Sequence, residues 1–163
     1  MSDRWVFLFS FLIVVLTVAG AFVVVPLFWY ELLKSLIFLA VTLLVFFGEN
    51  HFSFMLGFVA PIVWIIVEIL LGGFVEEMKV LVNALSGKGV PPLDTPLHGV
   101  AILLEIVLAV SSVTAWRKQV GERVFGKTFG AALAVSVVWT GLLLGYYFYA
   151  FGGATRIVVG HTP

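Results

Sequence analysis

The stretch WVFLFSFLIVVLTVAGAFVVV, residues 5–25, decides the fold of this chain. It runs for 21 residues without a charged side chain. An α-helix needs about 20 apolar residues to cross the hydrocarbon core of a bilayer, which is about 30 Å thick. The stretch therefore predicts a membrane-spanning helix. A cleaved signal peptide is the alternative, because Arg4 precedes the run and the small triplet AGA stands at residues 19–21. The apolar run continues past that triplet, so we interpret it as a first transmembrane helix.

The composition of the whole chain supports a membrane protein. Of its 163 residues 62% are hydrophobic and 11% are charged, against about 45–50% and about 25% in soluble domains. Nine basic residues oppose nine acidic ones, without the basic stripe that nucleic-acid binding requires. Cysteine is absent, which excludes disulfides and thiolate chemistry. We expect the lipid bilayer as a partner and no nucleic acid.

Four further apolar stretches follow the first, and we predict an all-α fold in which five transmembrane helices form one membrane domain, residues 1–163. The predicted helices cover residues 5–25, 31–47, 52–74, 97–116 and 129–151. Residues 75–85 have their apolar side chains on one helical face, which predicts a short interfacial helix. The aromatic segment 27–30 is interpreted as a turn in the headgroup region.

The basic residues predict the orientation in the cell membrane. The loop 117–127 carries four of them, Arg117, Lys118, Arg123 and Lys127. Basic loops stay in the cytoplasm, so the N-terminus is expected inside and the C-terminus outside. The count is five basic residues inside against four outside, which leaves a dual or an inverted topology as alternatives. Lys34 is expected to extend to the membrane surface.

Two carboxylates inside the apolar stretches are the candidate site. Glu68 lies near the end of the third predicted helix and Glu105 near the start of the fourth. At 1.5 Å per residue both fall about 9–12 Å below the same surface, so they are expected to meet. A carboxylate in hydrocarbon is costly and indicates function. The pair predicts a proton or cation site, whereas the alternative is two hydrogen-bonded packing residues that never meet.

A polar seam on the fourth predicted helix strengthens that hypothesis. His98, Glu105, Ser112 and Gln119 recur every seven residues, which places them on one face. We interpret His98 as the outer guard of the site, with Thr42 and Thr17 in shorter seams on other helices. For these threonines, bonding to helix carbonyls is the preferred interpretation. Pro61 shares a face with Glu68 and is expected to kink the third helix.

The fifth predicted helix carries glycines at helix-packing spacing. They form two G-x-x-x-G motifs, Gly126 with Gly130 and Gly141 with Gly145. Small residues let helix backbones approach closely. The motifs face either neighbours in the same chain or a second copy, so a homo-oligomer is one possible assembly. Trp64 and Trp139 are interpreted as packing residues.

No cofactor or metal is predicted. A haem held by two histidines is not expected, because His51 and His98 fall at opposite membrane faces and His161 lies in the tail. The trio of Glu68, Glu105 and His98 is an alternative metal site, although no short ligand motif supports it. Motifs of soluble enzymes are absent.

Three functional hypotheses remain. The first is a transporter-like or channel-like protein that handles an ion or solute through Glu68, Glu105 and His98. The second is a non-catalytic membrane subunit of a larger respiratory or transport complex, docked to partner membrane subunits by the glycine-rich helix. The third is an intramembrane enzyme acting on a lipid or quinone, with a carboxylate as general acid or base. We regard an enzyme as less favoured than the first two.

Overall fold

The structure is a computed structural model that describes residues 2–89, 96–121 and 123–151. These ranges contain helices and turns and no strand. A 3-10 turn, Val25–Leu27, joins the first two helices. The six α-helices in chain order are α1 (Ser2–Val23), α2 (Phe28–Phe46), α3 (Asn50–Leu71), α4 (Gly73–Leu85), α5 (Pro96–Gln119) and α6 (Lys127–Phe151).

Five of these helices are long and apolar enough to cross a membrane, namely α1, α2, α3, α5 and α6. The predicted all-α fold with five such helices is confirmed over the described residues. The short helix α4 forms where a short helix was expected, and its location at the membrane interface stays a prediction.

The helices pack around α3. This helix contacts α2 and α4 and packs extensively against α5 and α6. On the other side of the bundle, α1 packs against both α2 and α5. Large side chains such as Ile13, Phe38, Phe54 and Leu108 fill the interior. Many other apolar side chains lie exposed on the outside, which suits a surface solvated by hydrocarbon rather than by water.

Several helix bounds differ from those predicted. α3 ends at Leu71, three residues early, because Gly72 takes a left-handed φ of 81° and stops the helix. α5 continues to Gln119, so Arg117 and Lys118 form its last turn instead of a loop. The aromatic residues 28–30, expected in a turn, form the first turn of α2.

A proline and a glycine occupy the middle of α3. The helix runs through the buried Pro61, and the kink expected there stays a prediction. One turn earlier, Gly57 lies against both neighbouring helices. A Cβ atom at Gly57 would lie 2.7 Å from Oγ of Ser112 on α5 and 3.2 Å from a methyl of Val41 on α2. The missing side chain therefore allows three helices to meet here.

Candidate functional site

Glu105 is a charged residue sealed inside the bundle. Its side chain on α5 is 0% exposed. Neither carboxylate oxygen has a hydrogen-bond partner among the described residues. It lies within electrostatic range of Lys34, Glu68 and Glu31. A buried carboxylate without hydrogen bonds is unfavourable unless charge or a proton compensates it, so these neighbours define the site.

Lys34 of α2 supplies the positive charge. It is only 7% exposed, and its Nζ atom lies 3.8 Å from Oε1 of Glu68. The same ammonium stands 4.5 Å from the ring centroid of Trp64, a cation–π distance. The prediction that Lys34 extends to the surface is wrong, because carboxylates and an aromatic face hold its charge inside. Trp64 consequently does more than pack.

Glu31, also on α2, completes the site. It is buried and, together with Glu68 and Glu105, interacts electrostatically with Lys34. We name Glu31, Lys34, Glu68 and Glu105 the acid cluster. The two predicted carboxylates therefore both lie within electrostatic range of Lys34, and Glu68 forms the ion pair with it. With all three acids ionised, three negative charges meet one positive charge, which leaves an excess of two.

His98 connects the acid cluster to α4. Its Nε2 atom lies 3.7 Å from Oε2 of Glu31, and its Nδ1 atom lies 3.4 Å from Oε1 of Glu77. The Glu77 side chain is 29% exposed. Titratable groups thus follow one another from the outside of α4 to the interior, in the order Glu77, His98 and the acid cluster.

Three glycines make room for this arrangement. A Cβ atom at Gly20 of α1 would lie 3.0 Å from Nε2 of His98. At Gly73 of α4 it would collide with the Glu68 carboxylate, and at Gly99 of α5 it would lie 3.0 Å from the Glu77 carbonyl oxygen. Helices α1, α4 and α5 can therefore approach these polar groups closely because they lack side chains at these points.

The polar seam on α5 faces inward over most of its length. Ser112 is fully buried, and its hydroxyl has no hydrogen-bond partner among the residues described. Gln119, at the end of the helix, is exposed. The seam therefore extends the buried polar surface from His98 and Glu105 as far as Ser112.

The threonines of the shorter seams bond to their own helices. Thr17 donates a hydrogen bond to the Ile13 carbonyl at 2.8 Å. The Thr42 hydroxyl lies 2.9 Å from the Phe38 carbonyl and 2.9 Å from the hydroxyl of Ser10 on α1. Both threonines thus lie against carbonyls of their own helix, as expected from the sequence. The contact of Thr42 with Ser10 also links α1 to α2.

No described helix packs on the glycines of the two G-x-x-x-G motifs, of which Gly126 precedes α6 and the other three lie on it. A Cβ atom at Gly130, Gly141 or Gly145 would meet no described atom within 4 Å, and at Gly126 its nearest neighbour is the Arg123 carbonyl oxygen at 3.5 Å. The alternative in which these motifs face helices of the same chain is wrong for the described residues. A partner outside this chain stays a proposal.

Histidines and acids do not gather into a metal centre in the part of the chain that the structure describes. No three side chains of His, Asp or Glu there lie close enough to hold an ion. His51 lies 6.2 Å from the Trp116 ring. Trp116 and His98 are eighteen residues apart on α5, which is about 27 Å along the helix. His161 lies outside the described residues.

No protein-family model, curated protein or solved structure matches the chain.

Sequence reasoning missed Glu31 and Lys34 as members of the site. Their spacing of three residues places both on one face of α2, and they occur near the same end of the bundle as Glu68. That signal was present in the sequence. The contact of Glu77 with His98 was not predicted, because it depends on how α4 folds back onto α5.

Proposed function

We propose that the protein is a small ion-handling membrane protein, transporter-like or channel-like, that binds and releases protons at the acid cluster. The observation that carries this proposal is the excess of acid in a buried site. Three carboxylates lie within electrostatic range of one ammonium group, and the Glu105 carboxyl group has no hydrogen bond among the described residues. Protons would neutralise the excess.

The row of groups from Glu77 through His98 supports exchange with one side of the membrane. Distances of 3.4 and 3.7 Å are within reach of proton transfer after small side-chain movements or through a water. In the orientation that the basic residues favour, this row leads to the outside. Histidine suits such a role, because its ordinary titration falls in the physiological pH range.

Flux through the purified protein tests the proposal. The protein is reconstituted into liposomes that contain a pH-sensitive dye, and a pH gradient or a sodium or potassium gradient is imposed. Wild type is compared with Glu105→Gln and Glu68→Gln. Glu76→Gln is the matched control, because Glu76 lies exposed on α4 and pairs with Lys79 at 2.8 Å.

We expect the wild type to conduct, Glu76→Gln to match it, and Glu105→Gln to fall to the rate of protein-free liposomes. The gradient that drives the flux identifies the ion. Wild-type liposomes that leak no faster than empty ones would contradict the proposal, and so would equal flux in Glu105→Gln.

A second candidate is a non-catalytic subunit of a larger membrane complex. The uncovered glycines of α6 favour it, since G-x-x-x-G faces commonly receive another helix. The test is purification from the native membrane in mild detergent, for wild type and for Gly141→Leu. A stoichiometric membrane partner that the variant loses would support this candidate, whereas wild type that purifies alone would contradict it. A second copy of the chain would instead indicate a homo-oligomer.

A further inference from the structure

An apolar groove opens between α2 and α6. Its volume is about 450 Å³, and its walls include Ile37, Ala40, Ala134 and Trp139. This size falls in the range of about 300–1,000 Å³ that small-molecule sites occupy. We name it the α2–α6 groove. The small side chains of Ala40 and Ala134 leave room here for a hydrocarbon chain.

A small polar cavity adjoins the groove. The two share Ile37 and Trp139 as wall residues, and the cavity is also lined by Lys34, Trp64 and Thr140. Its volume is about 10 Å³, which is near the minimum needed to hold one water-sized atom. We name it the donor cavity. It has room for a single oxygen atom of a larger molecule seated in the groove.

The walls of the donor cavity are rich in hydrogen-bond donors. Trp64 is 4% exposed, and the indole N–H groups of Trp64 and Trp139 have no hydrogen-bond partner among the described residues. Lys34 adds an ammonium group, which can only donate. Buried polar groups are nearly always paired in folded proteins. The indole groups are two buried donors without an acceptor on residues that line one cavity, which favours a ligand that brings an acceptor.

The surrounding charges and the depth restrict the chemistry of that acceptor. An anion beside Lys34 would also meet the three carboxylates of the acid cluster, so a neutral oxygen fits better. Trp139 lies twelve residues into the span Lys127–Ala150. At 1.5 Å per residue its position is about 18 Å from the helix end, close to the middle of a core about 30 Å thick. Phospholipid ester groups lie at the edge of that core and do not reach this depth.

We propose that the α2–α6 groove binds a neutral amphiphile of the prenylquinone class, with its single hydrocarbon chain along the groove and a carbonyl oxygen in the donor cavity. The indole N–H groups donate to that oxygen. This site is separate from the ion-binding role of the acid cluster, although Lys34 borders both. The groove variants below therefore leave Lys34 and the carboxylates unchanged.

Binding to the purified full-length chain tests the proposal. The protein is placed in nanodiscs of one defined phospholipid and titrated with a benzoquinone that carries a decyl tail, with quenching of tryptophan fluorescence as the signal. Ala134→Phe fills the groove. Ala131→Phe is the matched control, because Ala131 is also exposed on α6 and lies outside the groove walls. Trp139→Phe keeps a smaller aromatic ring and removes one N–H donor.

We expect saturable quenching in wild type and in Ala131→Phe. In Ala134→Phe the dissociation constant should rise at least about tenfold, which corresponds to about 1.4 kcal/mol. Trp139→Phe should bind the quinone more weakly than wild type. Thermal unfolding of Ala134→Phe is measured beside the control. If this variant does not fold, Ala40→Leu on the α2 wall replaces it.

Three results would overturn the proposal. They are quenching by the quinone that does not saturate in wild type, equal affinity in folded groove variants, and equal competition by a decyl compound without a carbonyl group. The last result would mean that the groove accepts any hydrocarbon chain, such as the acyl chain of a bilayer lipid.

Discussion

His98 on α5 and Glu77 on α4 face each other at 3.4 Å, measured from Nδ1 to Oε1. Through this contact the short helix α4 becomes part of the polar route to the acid cluster. Its neighbour Glu76 points elsewhere and pairs with Lys79 on the exposed surface. Two adjacent glutamates on one helix therefore have different surroundings, which gives a clean experimental comparison.

The first prediction uses this comparison. Glu77→Gln removes the carboxylate next to His98, so ion flux in the liposome assay should fall, because the route loses its outermost titratable group. Glu76→Gln should keep wild-type flux. Equal rates in the two variants would show that Glu77 has no part in the route.

The second prediction concerns the buried lysine. Lys34→Met leaves three carboxylates without their ammonium partner and should reduce the free energy of unfolding by about 3–5 kcal/mol, the range for breaking a buried ion pair. Lys79→Met breaks an exposed pair and should change it by less than about 1 kcal/mol. Thermal unfolding in detergent measures both. The double variant Lys34→Met/Glu68→Gln should recover part of the loss, and the absence of any recovery would contradict the contact.

The third prediction tests the close approach of α3 to α5. Gly57→Ala places a methyl group 2.7 Å from Oγ of Ser112 and should destabilise the protein by about 1–3 kcal/mol through overpacking. Ser112→Ala in the same chain removes the colliding oxygen and should restore part of the stability. A double-mutant cycle measured by thermal unfolding gives the coupling between the two positions. Additive effects would argue against the contact.

The fourth prediction concerns the space around His98. Gly20→Ala introduces a Cβ atom 3.0 Å from Nε2 of His98, which should displace the imidazole and lower ion flux. Gly130→Ala makes the same change in a helix with nothing within 4 Å and is the control. Flux in Gly20→Ala that equals the control would mean that the histidine position does not matter for transport.

Much of the fold could be predicted because length and composition suffice for it. An uninterrupted apolar run such as residues 5–25 has few alternatives to a spanning helix. Helix ends were less predictable. The pair Gly72-Gly73 offers two places to stop α3, and the left-handed φ of Gly72 selects the first of them.

The candidate site could be predicted only in part. Glu68 and Glu105 were identified because a carboxylate in an apolar run is conspicuous in any sequence. Lys34 was misjudged because a lysine near a helix end normally extends to water, and only the packing of α2 against α3 places it over Trp64. The direction of a side chain around its helix axis is decided by partners that are distant in sequence.

The peripheral place of α6 has a consequence for how the protein is made. The acid cluster, His98 and Glu77 lie on α2, α3, α4 and α5, and α6 packs against α3 and α2. During synthesis all the helices that carry these polar groups are therefore made before the last helix leaves the ribosome. Trp139 and Thr140 of α6 line the cavity beside Lys34, so the lysine should stay open on that side until α6 has packed and closed both the cavity and the α2–α6 groove.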